Sequence, residues 1–285
     1  MHVREGQLSA GAMSRLRSGL EHLTPVLKRL AETILDDPET VIYQSVTELA
    51  EAAQAGEASV IRLCRDLGFN GFQDFKLALA ADQAMTPRPK DNGAPKDLAD
   101  IFDSVTREAV QALQETRAMV STEGLEAVLT LLMNAETLLF FGAGASGVTA
   151  RDFAYKFLRL GYRVIFHEDA HLAAMAAATL GPEAVMVGIT RSGSTIDTVR
   201  ALAIARARGV KTVVVSQRVK SPAAAVADEV LYTASPESPL TGGSIASKMG
   251  QLLLLDALFT ALLLRRPGAE AAVARTAKAV TDRNV

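Results

Sequence analysis

The sequence predicts an all-α N-terminal domain followed by an α/β domain with a parallel five-stranded sheet flanked by helices. Three observations carry this. Apolar residues recur at helical spacing from residue 20 to 81, with no strand-like alternation. From residue 137 onward, short apolar runs alternate with helical stretches, as in βα units whose sheet is covered on both faces. Between the two regimes, residues 82–97 (DQAMTPRPKDNGAPKD) hold three prolines, a glycine and mixed charge, the composition of an exposed linker. The expected organisation is a first domain over 1–81, a linker over 82–97, a second domain over 98–267 and a tail over 268–285.

In the first domain, Thr24-Pro25 supplies a cap and an N1 proline for a helix carrying Leu27, Leu30, Ala31 and Ile34 and ending near Asp37-Pro38. A short helical piece follows at Val41–Tyr43. Ser45 and Glu48 stand three apart as a capping box, opening a helix through Ala53. Another helix starts from Gly56 only about three residues later and stops at Gly68. Phe69, Asn70-Gly71, Phe72 and Phe75 form an aromatic turn and begin the last helix.

Two helices joined so tightly suit a DNA-reading pair, the second entering the major groove. On the second helix Val60, Leu63, Cys64 and Leu67 share the inward face. Ala58, Ser59, Arg62, Arg65 and Asp66 point outward, so Ser59, Arg62 and Arg65 are candidate DNA contacts, with Lys76 a candidate phosphate contact. Spacing alone describes equally well the solvated face of any small helical bundle. Charge gives no support: the chain carries a net −2, and residues 1–85 hold 8 Lys+Arg against 12 Asp+Glu. A few arginines shared between copies must then supply the phosphate neutralisation that normally dominates affinity.

In the second domain, helices are expected at 97–119 and 122–134. Strands are expected at Thr137–Phe141, Val164–Phe166, Ala184–Ile189, Thr212–Ser216 and Glu229–Tyr232. Intervening helices run over 147–160, 169–180 and 195–208, and a long one closes the domain at 244–266. Two loops carry the chemistry. GAGASG (142–147) follows the first strand and opens a helix, so its glycines let backbone N–H groups approach an anion. TRSGST (190–195) follows the third strand, and its hydroxyls and glycine make a nest fit for a phosphate monoester. A flavodoxin-like order 2-1-3-4-5 sets the loops side by side. The candidate ligand residues are Gly142, Gly144, Ser146, Thr190, Ser192, Gly193, Ser194 and Thr195. Gly142, Gly144 and Gly147 also fit a dinucleotide fingerprint, with Asp169 where a ribose-binding acid belongs. That alternative leaves the hydroxyl-rich loop without a task.

Residues 20–77 resemble the N-terminal domain of RpiR-type transcription regulators in TELAEAAQ (47–54), SVIRLCRDLGF (59–69) and GFQDFK (71–76). The family usually has glycine and serine where this chain has Gln54 and Gly56. Residues 125–266 resemble a sugar isomerase (SIS) domain in GxGxS (142–146), SGxT (192–195) and SKMGQLLLLDALF (247–259), with Thr190 and Lys248 standing for the usual serine and arginine. The joint resemblance implies a regulator, commonly a repressor, with operator DNA, a phosphorylated sugar and a second copy of itself as partners. A large apolar surface around the 244–266 helix is expected to support a dimer or tetramer.

SIS domains also occur in isomerases and lyases, the alternative function here. Of His167, Glu168, Asp169, His171 and Glu237, His171 is the best-placed base for aldose–ketose chemistry, yet none has an obvious orienting partner. No catalytic residue, cofactor or metal is therefore expected. Cys64, the single cysteine, excludes an internal disulfide. No apolar N-terminal leader is visible, and the run Gln251–Leu264 is broken by Asp256 and Thr260. The expectation is a cytoplasmic protein without membrane contact.

Overall fold

A computed structural model describes residues 11–85, 97–234 and 244–281. The chain forms two compact units, the first ending at Ile101 and the second beginning at Phe102.

The first unit is helical: α1 (Ala12–Gly19), a 3₁₀ turn (Leu20–His22), α2 (Pro25–Asp36), α3 (Pro38–Val41), α4 (Val46–Ala52), α5 (Glu57–Asp66) and α6 (Phe72–Met85). Local chemistry sets most boundaries. Pro25 opens α2. Asp37 accepts the Thr40 N–H at 3.0 Å and Pro38 follows at N1, which starts α3 three residues before the expected Val41–Tyr43 piece. The Ser45–Glu48 capping box is complete in both directions, at 3.1 and 2.7 Å. Leu16, Leu30, Ile34, Leu49, Leu63, Phe75 and Leu79 fill the core, with Phe69 edge-on to Phe75 at 5.4 Å.

Helix α1 lies outside the expected elements, and it corrects the start of the linker. Asp82 Oδ2 accepts the Met13 N–H at 2.8 Å, so residues 82–85 continue α6 and Asp82 serves as a remote cap for α1. Residues 86–96 of the linker lie outside the described residues, and Asp97 accepts the Asp100 N–H at 2.9 Å at the start of the next helix.

The second unit comprises α7 (Leu98–Met119, begun in the first unit), α8 (Thr122–Asn134), β1 (Thr137–Phe141), α9 (Ala145–Arg159), β2 (Arg163–Phe166), α10 (Ala170–Thr179), β3 (Ala184–Thr190), α11 (Ile196–Ala207), β4 (Lys211–Ser216), α12 (Pro222–Val226), β5 (Glu229–Tyr232), α13 (Ile245–Arg265) and α14 (Ala269–Thr281). The sheet is wholly parallel in the order β2-β1-β3-β4-β5. β3, at its centre, is buried along all seven residues. One face packs Phe140, Phe153, Phe157, Leu132, Leu255 and Leu258 from β1, α9, α8 and α13. The other packs Phe141, Met186, Ala173, Ala177 and Leu202 from β1, β3, α10 and α11.

One expectation changes. The 268–285 tail is a helix over Ala269–Thr281, its Ala269 and Ala272 buried against the domain. Its alanine-rich sequence is a strong helix former that needs no large side chain to dock. Helix α13 has the length and apolarity of a membrane span, with a mean hydropathy of 1.4, the one such helix among the described residues. One side of it is core, with Leu254, Leu255, Leu258 and Leu262 buried in its own unit, while Leu264 is exposed and Leu252, Leu253 and Phe259 are half-buried.

Candidate functional site

The N-terminal candidate is the α4–turn–α5 pair. The turn is tight because α4 ends in a Schellman arrangement: Ala55 N–H donates to Ala50 O at 2.8 Å and Gln54 N–H to Glu51 O at 3.0 Å. Gln54 therefore takes the left-handed conformation, φ +51°, that glycine usually fills. Thr47 of α4 donates its hydroxyl to Glu57 Oε1 of α5 at 2.5 Å, fastening the two helices across the turn. Val60, Leu63 and Cys64 face the core as expected. Arg62 and Arg65 are exposed, Arg62 in a loose pair with Asp66 at 3.8 Å, while Ser59 is half-buried.

Lys76 requires a correction. It is 5% exposed, its Nζ donates to the Gln44 carbonyl at 2.8 Å, and it lies 5.0 Å from the Phe72 ring centroid. Its ammonium holds the helical unit together and does not face outward to grip phosphate. The signal was in the spacing: Lys76 stands four residues after Phe72 and three before Leu79, on the buried face of α6.

The second candidate lies at the C-terminal ends of β1 and β3, where the strand order reverses. In-register pairing of Phe141 with Gly188 brings the 142–147 and 190–195 loops together. A Cβ on Gly142 would lie 2.9 Å from Ile189 O and 2.7 Å from Ser146 O, so only glycine admits this approach. Gly144 (φ +57°) caps α9, and Gly193 (φ +64°) is buried against Ser221 and Ser216. In the hydroxyl loop Thr190 Oγ1 lies 3.3 Å from Thr195 Oγ1, and Ser194 N–H donates to Ser192 Oγ at 3.2 Å.

The helices flanking the sheet between α8 and α13 start in two ways. Side chains cap α8 (Ser121), α10 (Asp169), α12 (Ser221) and α13 (Ser244). The N-caps of α9 and α11, Gly144 and Thr195, make no side-chain cap. Both helices start at the C-terminal ends of the paired strands β1 and β3, where amide N–H groups and positive dipole ends favour an anion.

The acid–base candidates do not converge there. Asp169 Oδ1 accepts the Leu172 N–H at 2.9 Å, so the carboxylate that the dinucleotide alternative needs for a ribose caps its own helix. Glu168 pairs with Arg151 at 3.6 Å, both largely exposed. His171 is exposed in the first turn of α10 and has no hydrogen-bond partner among the described residues. Glu237 lies outside the described residues.

A model of the helix-turn-helix domain of the rpiR family matches residues 10–86, and a SIS domain model matches residues 131–261. An HTH-type transcriptional regulator of Haemophilus influenzae is 33% identical over 90% of this chain and 91% of its own length. The chain belongs to the RpiR family of transcription regulators. This RpiR-family chain also superposes on the solved structure of Vibrio vulnificus NanR in complex with ManNAc-6P, with a TM-score of 0.84 and 35% identity over 94% of this chain and 97% of NanR. A bifunctional protein glk of Burkholderia thailandensis is 32% identical over 95% of the chain, which spans 43% of that protein.

Proposed function

We propose that this RpiR-family chain binds operator DNA through α5, acts as a repressor, and changes its operator affinity when a phosphorylated sugar occupies the 142–147 and 190–195 loops. The observation that carries the reading is the pair of helix N-termini without side-chain caps at the β1/β3 switch point. The phosphate sits on the amides at the starts of α9 and α11 and on the hydroxyls of Ser146, Thr190, Ser192, Ser194 and Thr195, while Gly142, Gly144 and Gly193 let the backbone approach. NanR, similar along its whole length, was solved with a sugar phosphate bound, which supports this ligand class for the present chain.

Arg62 and Arg65 are the proposed DNA contacts, with Ser59 at the groove edge. The first unit holds few cations, so two copies share the load. Support for self-association comes from α7, where Leu98, Ile101, Phe102 and Val105 form an exposed apolar stripe. No turnover is proposed, because Asp169 caps its own helix, Glu168 pairs with Arg151, and neither the half-buried His167 nor the exposed His171 has an orienting partner among the described residues.

Calorimetry with a panel of sugar phosphates and the matching free sugars tests the ligand half of this reading. Ser192→Ala removes a hydrogen bond to a charged group and weakens phosphosugar binding by roughly 1.5–3 kcal/mol. Equal affinity for phosphorylated and free sugar contradicts the site.

A further inference from the structure

From both cradle loops, a mixture of close packing and hydrogen bonds leads to one side chain of α7. From the hydroxyl loop, Gly193 lies against the end of β4: a Cβ there would meet Ser216 Oγ at 3.2 Å. Ser216 O accepts the Thr233 N–H at 2.9 Å, and the next amide, Ala234 N–H, donates to Thr116 Oγ1 at 3.0 Å. From the glycine loop, α9 carries Thr149, whose hydroxyl donates to Gln251 Oε1 of α13 at 2.7 Å. The preceding residue, Gly250, presses on the same threonine: a Cβ at 250 would lie 2.5 Å from Thr116 Oγ1 and 3.2 Å from Thr233 Cβ.

Thr116, Thr149, Ser216, Thr233, Ser247 and Gln251 are all buried. Thr233 Oγ1 is buried beside Gly250 without a hydrogen-bond partner. Two routes of unrelated sequence thus converge on one hydroxyl. The helix that carries it begins with Leu98–Ile101 of the first unit.

We infer that Thr116 is the positioning residue through which occupancy of the cradle reaches α7, and so the DNA-binding unit. The inference rests on the function proposed above and names its regulation. A phosphate that draws the α9 and α11 starts together shifts α13 through Thr149–Gln251 and the end of β5 through Ser216–Thr233. Thr116 is packed by Gly250 on one side and hydrogen-bonded by Ala234 on the other, so a shift of either α13 or the end of β5 acts on the same side chain.

The test uses the full chain and reads operator affinity by fluorescence anisotropy, with and without saturating ManNAc-6P or whichever sugar phosphate of the panel shifts the wild type most. Wild-type coupling is expected in the usual range, roughly 5- to 150-fold. Thr116→Val keeps the shape and loses the acceptor: it should bring the ratio to within about twofold of unity while leaving effector affinity within about threefold. Thr116→Ser should restore coupling. Gly250→Ala, which crowds the same hydroxyl without touching the cradle, should also reduce it. Coupling of wild-type size in both Thr116→Val and Gly250→Ala overturns the assignment. A wild type whose operator affinity no sugar phosphate alters overturns the proposed function itself, a different result because it needs no variant.

Discussion

Arg29 of α2 donates from Nη2 to the carbonyl of Gln54 at 3.2 Å, and Gln54 is the sole residue other than glycine with positive φ among the described residues. The contact holds in place the turn on which α5 depends. A left-handed conformation costs a side chain with a Cβ about 1–2 kcal/mol, and a single hydrogen bond to an exposed carbonyl returns about half of that.

The prediction is that Gln54→Gly raises the stability of the full chain by about 1 kcal/mol, measured by denaturant midpoint. Gln54→Val should lower it by at least as much, because β-branching crowds the same backbone. Unchanged midpoints in both variants contradict a strained turn.

Lys76→Met separates a packing role from a DNA role. It keeps the aliphatic stem but leaves the half-buried Gln44 carbonyl short of a donor, so stability should fall by about 1–3 kcal/mol. The salt dependence of DNA binding should not change. Arg65→Ala should do the reverse, flattening the salt slope by about one counterion with little loss of stability. A shallower salt slope in Lys76→Met returns that residue to the DNA interface.

Burial pushes the Cys64 thiol up to about 12, so almost no thiolate exists near neutral pH. Labelling by a disulfide reagent at pH 8 should therefore follow opening of the helical unit and rise with denaturant. Complete labelling of the native protein within the mixing time contradicts the packing of α5.

Asp228 gives a pH prediction. Burial alone would raise its carboxyl, but the Thr212 amide and hydroxyl, donating at 2.8 and 2.9 Å, hold it below the usual carboxylate range, helped by Lys211 and Arg206. A lowered folded pKa contributes stability that is complete above the unfolded value and disappears as pH falls through the folded one. Asp228→Asn should cost about 1 kcal/mol at neutral pH, allowing for solvent screening of an exposed group, and about nothing in strong acid. An equal loss at both ends contradicts the assignment.

Much of this was legible in the sequence, and the reasons differ by element. The strands were readable because a buried parallel strand such as AVMVGIT leaves an unbroken apolar run. The glycine turns after β1 and β3 were readable because Gly144 and Gly193 take positive φ and Gly142 sits where a Cβ would strike backbone. Lys76 was misread because its charge outweighed its place between Phe72 and Leu79. Helix α14 was missed because an alanine face carries little periodic contrast. The Thr116 contacts, 118 residues apart in sequence, leave no local trace. Helical spacing shows that α5 has an outward face, and nothing in spacing shows what that face meets.

The most direct test of the account is operator binding by the full chain, titrated with sugar phosphates at fixed salt, on its own promoter region and on random DNA of equal length. The account predicts preference for the promoter DNA, a saturable change in that affinity with one phosphorylated sugar, and no change with the same sugar lacking its phosphate. Equal affinity for promoter and random DNA, with and without every sugar phosphate tried, contradicts it.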